Sequence, residues 1–420
     1  MKKNYTFALV VIAALFFVFG FITWSNSQLI PYLKIACELT DTESYLVATA
    51  FFAAYFVMGI PSSYVLKLTG FKKGMSLGLL VMAGGALLFV PAANTRNFPL
   101  FLTGLFIIGS GLALLQTASN PYATVLGPIE SAARRISIMG ICNKIAGISA
   151  VYILGSIALS DVDALKARLP LLSDTDRAAE LNALAQRVVQ PYEILALSLA
   201  LLAGIIWMIR LPEIVEEEAH PEDSEFTAGK TSVLQFPHLV LGAFAIFFYV
   251  GVEVISYDTF AGFGEALGFT LEQSKSFATY TGYCLLAGYV FGIAAIPRFI
   301  SQQYALFLLT LLSIILVLVS MFTGGYVAVV AFALLGFSNS VVWPAIWPLA
   351  INHLGRFTKT GSALLIMGIV GGAVLPPLYG EFARAIGSKQ LAYSLMIPCY
   401  LFILYFAFSG YKLGLKPRKD

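Results

Sequence analysis

Three ionisable residues sit inside long apolar runs: Lys144, Glu253 and Asp258. A charge held in hydrocarbon costs several kcal/mol unless it is paired or hydrated, so each needs a partner or a task. A carboxylate in such a place can take up and release a proton or help hold a sodium ion. A lysine there supplies a fixed positive charge or a hydrogen-bond donor. Glu253 lies about fifteen residues into its run and Lys144 about eight into its own, which is ~22 Å and ~12 Å along a helix. Both runs start on the same side, so the axial offset is ~10 Å, part of which a lysine stem can span. A static interhelical ion pair is the plainer reading of the same two residues. Asp258 stands near the end of its run and Glu193 at the start of another, and both read as solvated.

Amides form the second set. Gln116 and Asn120 are four apart and share one helix face. Asn339, Trp343 and Trp347 repeat that spacing as a stripe of amide and indole, with Asn339 near mid-membrane by residue count. Pro344 and Pro348 interrupt the backbone hydrogen-bond ladder there and leave carbonyls to face a cavity. Asn26 and Asn143 add two more amides. An amide both donates and accepts. The competing explanation is structural: amides bond neighbouring helices, and tryptophans mark the membrane interface, which fits Trp347 best because it approaches the inner surface. Cys37, Cys142, Cys284 and Cys399 are far apart, and His220, His238 and His353 form no cluster, so no metal site, cofactor or nucleophile–base pair is expected. No phosphate-cradling G-x-x-x-x-G-K-[ST] loop is present.

The elements that position these residues are membrane spans. Of 420 residues, 59% are hydrophobic and 12% charged. A soluble domain carries roughly twice that charged fraction, and only a bilayer solvates so much apolar surface. Spans are expected near 5–30, 44–68, 74–93, 98–126, 136–160, 191–211, 236–260, 274–298, 303–322, 325–351, 360–381 and 389–412. Turns are expected at Thr69-Gly70, Pro91 to Asn94, Gly127-Pro128 and Gly324-Gly325. The first span follows Lys2-Lys3 and is long enough to be retained as a helix rather than cleaved as a signal. Residues 161–190 form a charged, helix-prone connection. The acidic stretch 212–235 divides the helices into a bundle over 1–211 and a second over 236–420. The expected class is therefore an all-α membrane protein of twelve helices in two pseudo-symmetric six-helix bundles. With both termini inside, basic residues favour the cytoplasmic turns, as the positive-inside rule requires. A net charge of +3, widely scattered, gives no nucleic-acid footprint.

Several longer motifs are familiar. The run from Gln116 through Asn120-Pro121 to Gly127-Pro128 resembles the fourth-helix motif of the fucose permease branch of the major facilitator superfamily. The run from Leu354 to Ser362, followed by Gly371-Gly372 and Pro376, is similar to that branch's signature between helices ten and eleven. Tyr249 to Val254, Phe337 to Pro344 and Arg135 to Gly147 resemble its glucose/galactose transporter members. Thr69 to Lys73 resembles the superfamily's short cytoplasmic loop between helices two and three, whose expected work is to latch the inner gate.

The resemblance implies uptake of a monosaccharide, glucose- or galactose-like before fucose or mannose, by proton or sodium symport with alternating access. Short loops and basic inner turns suit a bacterial cytoplasmic membrane, and a monomer is expected. Hydroxyl-rich cargo needs amides that donate and accept and aromatic faces for its C–H surfaces, which assigns Asn26, Gln116, Asn120, Asn143, Asn339 and Trp343 to the substrate. Glu253 becomes the ion-coupling carboxylate, with Lys144 as a fixed cation. One departure matters: Ser27 and Gln116 stand where fucose permease carries an aspartate and a glutamate. Neither titrates, so that coupling mechanism cannot be copied, and an uncoupled facilitator or exporter of the same fold is the alternative. The glycines Gly361, Gly368, Gly371 and Gly372 are expected to pack helices closely.

Overall fold

The computed structural model describes residues 2–158, 162–209, 211, 226, 227 and 229–415. The acidic residues of the 212–225 stretch lie outside the described residues. Helix dominates, and no strand occurs among the described residues. The first half contains α1 (Lys2–Ala36), α2 (Asp41–Leu87), α3 (Phe89–Thr95), α4 (Phe98–Val125), α5 (Ala132–Ala158), α6 (Val162–Arg168), α7 (Asp174–Gln186) and α8 (Val189–Met208). The second contains α9 (Pro237–Asp258), α10 (Phe260–Ala266), α11 (Leu271–Ala295), α12 (Gln302–Phe322), α13 (Gly325–Asn339), α14 (Val342–Ile351), α15 (Thr358–Met367), α16 (Gly371–Ile386) and α17 (Met396–Phe408).

Ten stretches are long and apolar enough to cross a bilayer, and one of them, Leu46–Thr95, holds two spans. Gly70 divides it: its φ of 76° breaks the helix at the expected turn, a conformation glycine adopts without steric cost. The shorter apolar helix Thr279–Ala295 completes the set of twelve. Pro91 to Asn94 is not a turn. These residues are helical within α3, because proline is tolerated in the first turn of a helix, and the chain reverses at Arg96, which takes the left-handed conformation. Glu38 bridges Arg96 (3.1 Å) and Arg177 (2.6 Å), tying the ends of α1, α3 and α7. The 161–190 connection is helical as expected, and α7 docks on α1 where Tyr32 Oη donates to the carbonyls of Leu184 and Ala185 (2.9 and 3.0 Å).

The chain clusters into two compact units: Lys2–Ser119 with Cys142–Glu213, and Asn120–Ile141 with Ile214–Asp420. In the first, α1 and α5 cross so closely that a Cβ on Gly20 would overlap the Asn143 carbonyl. In the second, α16 meets α9 the same way, with Gly371 against the Phe247 carbonyl. Such contacts supply the van der Waals packing that must hold helices together where lipid removes the hydrophobic drive.

Arg135, a basic residue in the first turn of α5, is buried. Its guanidinium donates to the carbonyls of Ala123 (2.9 Å), Thr124 and Pro128 (3.0 Å) and to Ser131 Oγ (2.6 Å). It thus satisfies carbonyls at the C-terminal end of α4 that no further helical turn can reach, and its charge complements the helix dipole. Arg135→Met should lower stability by about 3 kcal/mol through orphaned carbonyls, read as a lower melting temperature in detergent. Gly20→Ala should destabilise likewise. Gly84→Ala, at an exposed site with open space around the new Cβ, should be neutral or stabilising by up to about 1 kcal/mol.

Candidate functional site

The break between α13 and α14 falls at Ser340 and Val341. Pro344 sets it: proline cannot donate to the carbonyl four residues earlier, and its ring clashes with that group. Pro348 leaves α14 unbroken, so one of the two expected interruptions occurs. Asn339 ends α13 just before the break and is 1% exposed.

Tyr400 of α17 donates to Asn339 Oδ1 at 2.9 Å. That bond fixes the amide, so its nitrogen points elsewhere with two hydrogens to give. Asn339 Nδ2 finds no hydrogen-bond partner among the described residues, and neither does Trp347 Nε1, eight residues further along the stripe. A buried donor left unmade costs about 1–3 kcal/mol, and here two flank the break between α13 and α14. Trp343 is half-buried between them, stacked on Trp347 with centroids 5.5 Å apart and 6.5 Å from the Tyr249 ring. Trp347 is fully buried rather than interfacial.

Glu253 belongs to the same unit. It is one helical turn from Tyr249 and one from Tyr257 on α9, and Tyr249 shares a side-chain hydrogen bond with it. The carboxylate also lies within electrostatic reach of Tyr257, Tyr289 and Tyr400. Through Tyr400 its field meets the group that holds Asn339. The tyrosines were the residues that sequence reasoning missed. Spacing alone could have found Tyr249 and Tyr257, which flank Glu253 at four residues each; Tyr289 and Tyr400 come from other helices and carry no such signal.

The residues of the first unit are placed separately. Gln116 donates to Tyr55 Oη at 3.1 Å, joining α4 to α2. Asn143 donates to the Phe16 carbonyl at 3.3 Å, beside the close crossing of α1 and α5. Lys144 Nζ lies 4.5 Å above the Trp24 ring, a cation–π contact. Asn120, 1% exposed, falls in the second unit with the C-terminal end of α4. Asn26 lies in α1, and its side chain, like that of Ser27, is outside the described residues. Asp258 and Glu193 are exposed, at a helix end and a helix start. The cysteines are unpaired thiols, and burial pushes Cys37 up to about 11, against the opposing pull of Arg96; at neutral pH it is a thiol, not a nucleophile. No group of metal-ligating side chains forms among the described residues.

A family model of the Major Facilitator Superfamily matches residues 12–376. The chain belongs to the Major Facilitator Superfamily. It is a multi-pass membrane transporter by family, and not an enzyme. A "Glucose/galactose transporter" of Brucella abortus is 36% identical over 98% of this chain and 96% of its own length. An "L-fucose-proton symporter" of Escherichia coli is 31% identical over 98% and 94%. Among solved structures, a Major Facilitator Superfamily transporter crystallised in the outward conformation superposes with a TM-score of 0.84 at 31% identity, covering 96% of this chain and 98% of the other. The motifs around Gln116, Asn339 and Arg356 thus resemble the branch to which these relatives belong.

Within this superfamily member, Tyr400→Phe should release the Asn339 amide and leave its oxygen without the donor it has now. The expected cost is about 1–3 kcal/mol of stability, measured by thermal unfolding of the purified protein. An unchanged melting temperature would show that the amide is held by other means.

Proposed function

We propose that this transporter imports a monosaccharide of glucose or galactose type by cation symport. The carrying observation is the buried Asn339 amide, oriented by Tyr400 and flanked by Trp343, with its donor unspent. An amide donor beside an indole face is the pairing a pyranose uses: hydroxyls to the amide, C–H surface to the ring. The names of the relatives support the same class of cargo. Asn339 and Trp343 are the sugar contacts of the second bundle. Gln116, Asn120, Asn143 and Asn26 supply those of the first. The bundles span 1–211 and 236–420, joined by the 212–235 linker, and exchange inward and outward states about a central site. The membrane is the bacterial cytoplasmic one, with both termini inside and the protein acting as a monomer.

Coupling is assigned to Glu253. Ser27 and Gln116 do not titrate, so a proton or sodium ion needs another carboxylate, and Glu253 stands among hydroxyls that can exchange hydrogen bonds with it. A carboxylate's hold on a proton or cation depends in general on its burial and on the charges near it. Alternating access changes both, and a change in that balance between states is what coupling requires. Lys144 is a fixed cation of the transport path. No cofactor takes part.

Labelled D-galactose uptake into proteoliposomes tests the reading, with a pH gradient and a sodium gradient imposed separately. Accumulation above the external concentration is expected with one gradient and not the other. Glu253→Gln should abolish that accumulation while sparing exchange of internal for external sugar. Unimpaired uphill uptake in the variant rejects the coupling role, and absence of both uptake and exchange for every hexose tried rejects the cargo. Asn339→Ala should raise KM about tenfold, the worth of one good hydrogen bond.

A further inference from the structure

The second unit holds a cavity of about 500 Å³ away from the amide stripe, where the ends of α9 and α16 meet the chain after α16. Small-molecule pockets run about 300–1,000 Å³. By the charge count of the turns, this end of the helices is the outer one. Its walls are fixed by a chain of side chains. Thr259 Oγ1 and Tyr393 Oη are 2.8 Å apart, Tyr393 stacks on Tyr379 at 5.0 Å, and Tyr379 Oη donates to the Lys389 carbonyl at 2.9 Å.

The chemistry of the lining is that of a hydroxyl binder. Asp258 brings a carboxylate and Lys389 an ammonium group, and neither forms an ion pair among the described residues. Arg384 also lines the cavity, but its charge is met by Glu381 outside it. The opposing charges of Asp258 and Lys389 therefore leave the lining close to neutral, with a strong acceptor and a strong donor held apart. A carboxylate accepts from two neighbouring hydroxyls at once, and a charge-assisted bond is roughly twice as strong as a neutral one. Gly262 brings the ligand space close to Lys389: a Cβ there would stand 3.2 Å from Nζ. Gly380 leaves open space where a side chain would be.

The cavity faces water rather than lipid. Val374, Leu378, Phe382 and Ile386 repeat every four residues and make an exposed apolar stripe on α16. Gly380 and Arg384 lie two residues from members of that stripe, so they occupy the nearly opposite face of the helix, about 200° around it. A phospholipid headgroup would need its tails along the stripe, on the wrong side.

We infer that this cavity is an outer holding site for a neutral monosaccharide, distinct from the Asn339 site, where Asp258 and Lys389 grip sugar hydroxyls before transport. The inference rests on the monosaccharide reading above. Its effect is to raise the sugar concentration at the outer mouth, so losing it should raise KM several-fold with kcat unchanged.

Equilibrium binding of labelled D-galactose to the purified full chain in lipid nanodiscs tests it. Two sugars per chain are expected. Gly380→Leu fills the cavity from an exposed helix position and should leave one, and Asp258→Asn should do the same without adding volume. The site that remains should be the one weakened by Asn339→Ala. A wild-type stoichiometry of one, unmoved by either cavity variant, overturns the holding site and leaves the transport reading intact. So does loss of a co-purified phospholipid from Gly380→Leu with the sugar count unchanged. Failure of the wild-type protein to bind any hexose overturns both.

Discussion

In hydrocarbon a polar group cannot fall back on water, so every one that enters must find its partner inside the protein. That constraint organises this chain. Tyr55 receives the Gln116 amide, the Phe16 carbonyl receives Asn143, and the Trp24 ring receives the Lys144 cation. Arg135 is met by carbonyls that α4 can no longer bond for itself. Among the buried polar atoms left without a partner in the described residues, several are hydroxyls such as those of Ser62, Thr281 and Thr310, while Asn339 and Trp347 contribute an amide and an indole donor on either side of Trp343.

The break between α13 and α14 makes the site usable. A continuous helix would bury its carbonyls in its own ladder. Pro344 interrupts the ladder beside Asn339, and Tyr400, from the last helix, holds the amide across the gap. Glu253 is joined to the same place through Tyr249 and the ring of Trp343. Glu253, Asn339 and Trp343 thus share one packed unit with Tyr249 and Tyr400. On the proposed function, that shared unit is the route by which an ion at Glu253 would act on the Asn339 amide, with no carboxylate needed at Ser27 or Gln116.

Much of this was legible in the sequence, for reasons that differ by residue. Span number and position follow from long apolar runs, which leave little choice in a bilayer. Gly70 marked its turn because positive φ is a property of the residue itself. Pro91 misled, since proline starts helices as well as ending them, and only the chain reversal at Arg96 decides which. The stripe of Asn339, Trp343 and Trp347 was visible from spacing. The orientation of the amide was not, because Tyr400 lies 61 positions away in the chain. Arg135 counted as a surface charge by sequence, and its burial depends on how the end of α4 turns back. Spacing left Trp347 open between a site contact and an interfacial anchor, and packing against its own unit buries it completely.

The account stands on sugar meeting the amide and indole of the broken helix. Intrinsic fluorescence reports this directly in a variant that keeps Trp343 and Trp347 and carries phenylalanine at Trp24 and Trp207. Titration with D-galactose should give a saturable change in emission that disappears when Trp343 is also replaced by phenylalanine. A flat titration, in protein that still transports galactose, would contradict the placement of cargo at Asn339 and Trp343.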